Sequence, residues 1–96
     1  MSSSFLVFGA GAWGTALSMQ LVSSKNRVFL SSFDEKNLSQ IKKDQENKKY
    51  LPGFKLQKEL LVEPFSEKLI EGVDSIIICV KSPYFKDAVL LLKKGL

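Results

Sequence analysis

The sequence predicts an α/β fold, a doubly wound parallel sheet, from two observations. Short apolar runs alternate with stretches of helical periodicity in the order β-α-β-α-β-α-β-α, and a glycine-rich turn joins the first run to the first helix. Strands that alternate with helices form parallel sheets with right-handed crossovers. We therefore expect four strands in the spatial order 3-2-1-4, with a crevice between the first and the fourth.

A change of period marks the first two strands and the helix between them. Phe5–Phe8 is a continuous apolar run that stops at glycine, which is typical of a buried strand. From Ala12 to Ser24 the apolar period becomes helical, and Arg27–Leu30 then predicts the second strand. One face of this helix is predicted to carry Ala12, Ala16 and Met19, with Leu17 and Leu21 beside it.

The second helix is predicted to start after Asp34, a residue type that suits an N-cap. Leu38 and Ile41 give this helix a narrow apolar stripe. The charged stretch Lys42–Lys49 then predicts a solvated helix end and a loop. Tyr50–Gly53 contains Pro-Gly and predicts a turn.

The third strand is predicted at Leu60–Val62 and ends at Pro64. Ser66 follows and suits the cap of a short helix. Leu69 and Ile70 are the apolar residues of that helix.

The strongest predicted strand is the fourth, Ile76–Val80, which is entirely apolar. Ser82 and Pro83 suit the cap and first position of a last helix that runs toward Leu92. An apolar strand of a parallel sheet needs neighbours on both edges and helices on both faces. We therefore expect residues 1–96 to form part of one domain, with further strands and a second domain beyond Leu96.

Composition and charge narrow the class of protein. The 96 residues are 45% hydrophobic and 25% charged, which is ordinary for a globular domain. The net charge of +4 suits phosphate-bearing ligands. Nucleic acid is not an expected partner, because the lysines are scattered and neither a basic helix nor an RNA-binding aromatic signature is present. No membrane span or signal peptide is expected either.

The single cysteine, Cys79, lies within an apolar run and cannot form an internal disulfide. This favours a reducing, cytoplasmic setting. A catalytic thiol is not expected, because the chain has no histidine to activate it. The sequence suggests no catalytic residue and no metal ligand within this chain.

The glycine turn Gly9–Gly14 is a complete G-x-G-x-x-G between a predicted strand and a predicted helix. This context is the one that the Rossmann dinucleotide-binding fingerprint requires. Gly9 would permit the tight turn, Gly11 would let a pyrophosphate approach the backbone, and Gly14 would let the helix pack close to the strand. The helix N-terminus would offer N–H groups and a partial positive charge to the phosphates. A glycine-rich turn that binds nothing is the alternative.

The end of the second strand bears on the choice of cofactor. Asp34 stands near the distance at which the fingerprint places an acidic residue for the ribose, although a helix N-cap role explains it as well. No arginine stands at Ser32 or Phe33 to hold a 2′-phosphate, which favours NAD over NADP. Phe33 is either a core residue or lies against the adenine.

Two segments resemble a known family. GAGAWGTAL at Gly9–Leu17 is similar to the opening of NAD(P)-dependent glycerol-3-phosphate dehydrogenases. ENKKYLPG at Glu46–Gly53 is similar to the E-N-x-x-Y-L-P-G stretch of that family. The second segment discriminates, because other Rossmann dehydrogenases share the glycines but not this stretch. The resemblance covers essentially the whole chain, as the N-terminal NAD-binding part of a family member.

Carried over by position, the resemblance implies that the cofactor pyrophosphate is held by Gly9, Ala10, Gly11, Ala12, Trp13 and Gly14. Phe33 resembles the phenylalanine of eukaryotic-type, NAD-using members, which implies adenine contact. Tyr84 matches an aromatic position near the cofactor, with helix packing as its alternative. Lys81 stands where the family usually has proline, so this turn can differ. Tyr50 and Pro52 are expected to fix the loop after the second helix.

The resemblance implies hydride transfer between dihydroxyacetone phosphate and NADH, which gives glycerol 3-phosphate. Family members polarise the carbonyl with lysines on the next strand and in a helical C-terminal domain. Lys94–Leu96 imitates one such lysine segment but follows the fourth strand too soon. We therefore expect this chain to bind NAD(H) without turnover and the full enzyme to be a homodimer.

Two other classes of protein stay open. One is another Rossmann oxidoreductase, of the 6-phosphogluconate or hydroxyacyl-CoA dehydrogenase kind, against which Tyr50–Gly53 argues. The other is a non-enzymatic nucleotide-sensing module, in which a dimer would cover the edge of the fourth strand.

Overall fold

The computed structural model describes residues 3–95, so Met1, Ser2 and Leu96 lie outside the described part of the chain. The prediction of further strands after Leu96 lies outside it as well. The elements are β1 Ser4–Phe8, α1 Ala12–Ser23, β2 Arg27–Ser31, α2 Glu35–Asp44, β3 Glu46–Asn47, β4 Leu51–Lys55, β5 Leu61–Val62, α3 Glu67–Glu71, β6 Ser75–Ile78 and α4 Ser82–Lys93.

The main sheet has four parallel strands in the order β5-β2-β1-β6. Val7 of β1 lies opposite Leu30 of β2 and Ile77 of β6. Because β5 and β6 are the predicted third and fourth strands, the predicted α/β fold and the order 3-2-1-4 are confirmed. Parallel strands bring their carboxyl ends to one edge, and the β1–β6 neighbourhood places the crevice there.

A second, two-stranded sheet corrects the prediction of a loop after α2. β3 and β4 pair antiparallel, with Glu46 opposite Lys55. The turn between them lies at residues 48–50, so Pro52 and Gly53 belong to β4 rather than to the predicted turn. The apolar pattern gave no sign of this hairpin, because most of β4 is exposed and strands are recognised by alternating buried residues.

Helix α1 buries a different face from the predicted one, although Met19 and Leu21 pack against the core beside that face. Ala12 and Ala16 are exposed, and Met19 and Leu17 are only half-buried. The buried residues are small or polar, Gly14, Thr15, Ser18 and Val22. Small side chains let α1 approach the β1 end of the sheet closely, so contact with the backbone, rather than apolar character, selects this face.

Strand β6 is shorter and less buried than predicted. It covers Ser75–Ile78, and the remaining residues Cys79 and Val80 lie past the strand, although the Cys79 N–H still donates to the Phe8 carbonyl at 2.7 Å. The three isoleucines of β6 are half-buried. Within the described residues β6 is an edge strand, which explains its exposure.

The apolar core is divided between the two faces of the sheet. The closed face, which α1 and α2 cover, is built around Val7, Val28 and Leu30, all fully buried. The open face, which α3 and α4 cover, is built around Leu6 and Phe8. Alternate residues of β1 point to opposite faces, as strand geometry requires. No helix within residues 3–95 is long and apolar enough to cross a membrane.

Candidate functional site

A cleft of about 530 Å³ opens where β1, β2 and β6 end. Its lining comes from the three segments that follow these strands, residues 9–11, 32–34 and 79–81, and from Asn37, Tyr50, Tyr84 and Asp87. This is the crevice expected at the carboxyl ends of parallel strands, beside the point where the order of strands reverses.

The three fingerprint glycines of the turn differ in what the fold requires of them. Gly9 has φ +126° and a Cβ there would overlap the Cys79 carbonyl oxygen. A Cβ on Gly14 would overlap the Gly9 carbonyl oxygen. Gly11 has φ −79°, and a Cβ on it would meet no atom of the described residues within 4 Å. Packing therefore requires Gly9 and Gly14, whereas Gly11 leaves open space in the cleft.

Helix α1 begins at this open space. Gly11 is its N-cap residue, and no side chain of residues 3–95 caps it. The first helical bond runs from the Thr15 N–H to the Gly11 carbonyl at 3.0 Å. The preceding N–H groups of the first turn have no acceptor within the helix and carry the positive end of its dipole. Such an end is suited to a phosphate.

A buried amide, Asn47 on β3, supports the turn from behind. Its Nδ2 donates to the Ala10 carbonyl at 2.8 Å and to Thr15 Oγ1 at 2.9 Å. Its Oδ1 accepts from the Tyr50 N–H at 3.3 Å and from Asn37 Nδ2 at 3.5 Å. Asn47 thus connects the hairpin and α2 to the glycine turn.

The end of β2 brings an aromatic ring and a carboxylate to the cleft. Phe33 packs edge-on against Phe8, with ring centroids 5.0 Å apart, yet 46% of Phe33 remains exposed at the cleft. Asp34 caps α2, because its Oδ1 accepts the Asn37 N–H at 3.0 Å. That bond, together with the Lys49 ammonium at 3.3 Å, holds the pKa of the Asp34 carboxyl below its usual value.

The third wall follows β6. The Cys79 thiol has a raised pKa because of burial, so it stays protonated at neutral pH. Lys81 is the N-cap residue of α4, one position before the predicted cap Ser82, and Pro83 accordingly stands one position later in the helix. Tyr84 lines the cleft with 54% of its surface exposed.

The structure brings most of the predicted cofactor residues together. Gly9, Ala10, Gly11, Phe33 and Tyr84 line one cleft. The other three do not line it, because Gly14 is buried at the contact of α1 with the turn, and Ala12 and Trp13 are exposed beside it. Trp13 is 73% exposed.

Sequence reasoning missed the polar residues around the turn. Asn37, Tyr50 and Asp87 line the cleft, and Asn47 lies directly behind it. Asn47 and Tyr50 belong to Glu46–Gly53, the segment that resembles the family, and this resemblance was the one sign in the sequence that they matter. Their spacing from the glycines gives no indication of contact, so only the hairpin reveals it.

A scan against protein-family models matches residues 4–96 to the NAD-dependent glycerol-3-phosphate dehydrogenase N-terminus. Among curated relatives, a glycerol-3-phosphate dehydrogenase [NAD(P)+] of Francisella tularensis subsp. tularensis is 38% identical over 96 residues, covering 98% of this chain. That of Wigglesworthia glossinidia brevipalpis is 36% identical over 90 residues, covering 94%. The chain spans 29% and 27% of these two relatives.

Solved structures agree with this match. A glycerol-3-phosphate dehydrogenase from Coxiella burnetii superposes with a TM-score of 0.92 at 27% identity, over 99% of this chain and 29% of that one. The Saccharomyces cerevisiae enzyme superposes with a TM-score of 0.84 over 100% of this chain and 31% of that one, and at 22% identity this likeness bears on the fold alone.

Proposed function

Because the chain belongs to the NAD-dependent glycerol-3-phosphate dehydrogenase family, whose N-terminal domain it matches, we propose that it is the dinucleotide-binding part of such an enzyme. In this proposal the diphosphate of NAD(H) lies over Gly11 at the start of α1. The match favours this function over the other Rossmann oxidoreductases that share only the glycines.

The observation that carries the proposal is the open space at Gly11. Its φ of −79° is accessible to any residue, and no described atom lies within 4 Å of a Cβ placed there. The fold therefore has no need of a glycine at this position, whereas a ligand that approaches the backbone does. The uncapped N-terminus of α1 beside it supplies N–H donors of the kind a diphosphate accepts.

The remaining cleft residues suit the rest of a dinucleotide. Phe33 offers a partly exposed ring for the adenine, and Tyr84 lines the same cleft. Gly9 and Gly14 hold the turn in shape, and Ala10, Ala12 and Trp13 complete it. We assign the pyrophosphate to the residues of this turn.

We propose NAD rather than NADP as the preferred cofactor. The Asp34 carboxylate is charged at neutral pH and lies just after β2, near the position that the fingerprint gives to the residue for the ribose. A 2′-phosphate near Asp34 would face this carboxylate, which already pairs with Lys49 at 3.3 Å, and Ser32 and Phe33 add no positive charge of their own.

In the full enzyme, the nicotinamide would exchange a hydride with dihydroxyacetone phosphate or glycerol 3-phosphate. We assign no catalytic residue to this chain, which spans 29% and 27% of the two curated relatives. Its own residues would bind and orient the cofactor without turnover. We further propose a cytoplasmic setting and a homodimeric full-length enzyme.

The test is a calorimetric titration of NADH and NADPH into this chain and its Gly11→Ala and Gly11→Val variants, with circular dichroism to verify folding. Gly72→Ala is the matched control, because a Cβ there has its nearest neighbour at 3.9 Å and Gly72 does not line the cleft. We expect all variants to fold. We expect Gly11→Val to weaken NADH binding by about tenfold or more, roughly 1.4 kcal/mol, and Gly72→Ala to leave it unchanged.

Two results would contradict the proposal. One is a folded chain that binds neither dinucleotide. The other is Gly11→Val with the NADH affinity of the unaltered chain. Tighter binding of NADPH than of NADH would contradict only the cofactor preference.

A further inference from the structure

Asn47 uses its whole hydrogen-bonding capacity within a fully buried site. A side-chain amide has two donor hydrogens and two acceptor lone pairs. The hydrogens of Nδ2 go to the Ala10 carbonyl and Thr15 Oγ1, and Oδ1 accepts the Tyr50 N–H and Asn37 Nδ2. Because one end must donate and the other must accept, the amide has a single orientation. The Ala10 carbonyl is thereby held toward the interior.

The direction of this carbonyl sets the direction of the next N–H. All peptide bonds of the described residues are trans, so the C=O of Ala10 and the N–H of Gly11 point to opposite sides of one planar unit. Asn47 is 0% exposed and lies behind the turn, whereas Gly11 lines the cleft. With its carbonyl held by Asn47, the Ala10–Gly11 peptide turns its N–H away from the interior and toward the cleft.

We propose that Asn47 is a positioning residue, which aims the Gly11 N–H at the diphosphate of the dinucleotide. The inference rests on the proposed function, and Asn47 itself touches no part of the ligand. Pre-oriented donors bind an anion more tightly than donors that must reorganise, so the effect of Asn47 is on affinity. The hairpin is then part of the cofactor site, because it carries Asn47 to the turn.

Gln57 provides a matched control, because it makes the same kind of contact at the other end of α1. Its Nε2 donates to the Met19 carbonyl at 2.9 Å and to Ser23 Oγ at 3.1 Å. Both amides donate two hydrogen bonds and both hold α1, Gln57 through Met19 and Ser23 and Asn47 through Thr15. Only Asn47 also reaches the glycine turn, at the Ala10 carbonyl. Loss of Gln57 would loosen the helix without turning the Gly11 N–H.

The experiment compares Asn47→Ala, Asn47→Asp and Gln57→Ala in this chain, by NMR titration with NADH and with adenosine, which has no phosphate. We expect NADH to bind about tenfold more weakly to Asn47→Ala, and adenosine to bind as it does to the unaltered chain. Asn47→Asp has no hydrogen to donate to the Ala10 carbonyl when ionised, so NADH should bind at least as weakly to it. Gln57→Ala should keep its NADH affinity within about twofold.

The outcomes separate this inference from the proposed function. If the unaltered chain does not bind NADH, the proposed function fails and the inference fails with it. If the unaltered chain binds NADH and Asn47→Ala binds it within twofold as tightly, only the role of Asn47 is overturned. Equal weakening for NADH and adenosine would also overturn it, because a general loosening of the domain would affect both.

If the Asn47 variants do not fold, a second measurement on the unaltered chain still tests the inference. In that chain the Gly11 N–H resonance should move on addition of NADH and stay in place on addition of adenosine. The inference would be overturned if the Gly11 N–H resonance did not shift on addition of NADH while the resonances of other cleft residues did.

Discussion

The closed and open faces of the main sheet are covered to different extents. Among residues 3–95, the closed face buries ten residues of its cluster between the sheet, α1, α2 and the segment after the hairpin. The open face buries six, against α3 and α4. On α4 four large apolar side chains stay exposed, Tyr84, Phe85, Val89 and Leu90. The two faces of one sheet therefore differ in how much apolar surface they remove from water.

The cleft lies between these two regions and has walls of both kinds. Asp34 and Asn37 belong to the closed side, where α2 is capped and packed. Tyr84 and Asp87 belong to α4, which buries only Ala88 and Leu92. Elements with few buried contacts open locally at a lower free energy. From this difference in burial we expect the glycine turn and the α2 wall to be the more rigid part of the site.

The largest effect is expected where α1 meets the closed face. Gly14→Ala would place a Cβ into the Gly9 carbonyl oxygen, which is backbone and cannot move aside alone. We expect the variant to lose about 3 kcal/mol or more of its free energy of unfolding, or not to fold. Urea unfolding followed by circular dichroism measures this, with Gly72→Ala as the control. An unchanged urea midpoint would contradict this prediction, because it would mean that the backbone of the turn shifts at little cost to make room for the Cβ.

The next effect compares the two faces directly. Leu38 on α2 and Leu92 on α4 are both 3% exposed, so they are a matched pair. We expect Leu38→Ala to lower the free energy of unfolding by about 3 kcal/mol and Leu92→Ala to lower it by about half as much. The open face is less tightly covered, so its side chains can move to fill part of the cavity that the smaller residue leaves. Urea unfolding of both variants tests this. Equal losses would mean that the two faces are equally well packed.

The smallest effect on stability is expected at the surface of α4. Phe85 and Leu90 are each 52% exposed, so Phe85→Lys and Leu90→Lys should change the free energy of unfolding by about 0.5 kcal/mol or less. Both should reduce self-association measured by light scattering, because contiguous exposed apolar surface promotes it. Gln20→Lys, on the exposed side of α1, adds the same charge and should leave association unchanged. If it reduced association equally, charge rather than apolar surface would be the cause.

Much of the fold was predictable because the strands of the main sheet are short apolar runs. Phe5–Phe8 and Arg27–Leu30 match β1 and β2 to within a residue at each end. Asp34 was also interpretable as the cap of α2, since capping depends on the residue type and its immediate neighbours. The hairpin at Glu46–Lys55 was not predictable in this way, because its strands bury little apolar surface.

Within the site, the glycine turn could be located by its pattern alone, and the aromatic residues at Phe33 and Tyr84 by resemblance. That the turn, Phe33 and Tyr84 line one cleft could be seen only in the structure. The prediction for α1 was wrong about the fully buried face, because periodicity counts apolar residues, whereas this helix buries Gly14, Thr15 and Ser18. Met19 and Leu21 do pack against the core, but only half-buried. A close backbone approach favours small side chains whatever their polarity.

Local sequence was sufficient for the succession of strands and helices and for the place of the glycine turn. Both follow from interactions among residues a few positions apart, namely the apolar period and the backbone freedom of Gly9. The residue that supports the glycine turn, Asn47, is distant from it in the sequence and could be identified only from the tertiary structure. Asn47 meets the Ala10 carbonyl across 37 positions of sequence, and the path of the chain through α1, β2 and α2 alone brings them together. Such a contact depends on the packing of whole elements, which no local pattern records.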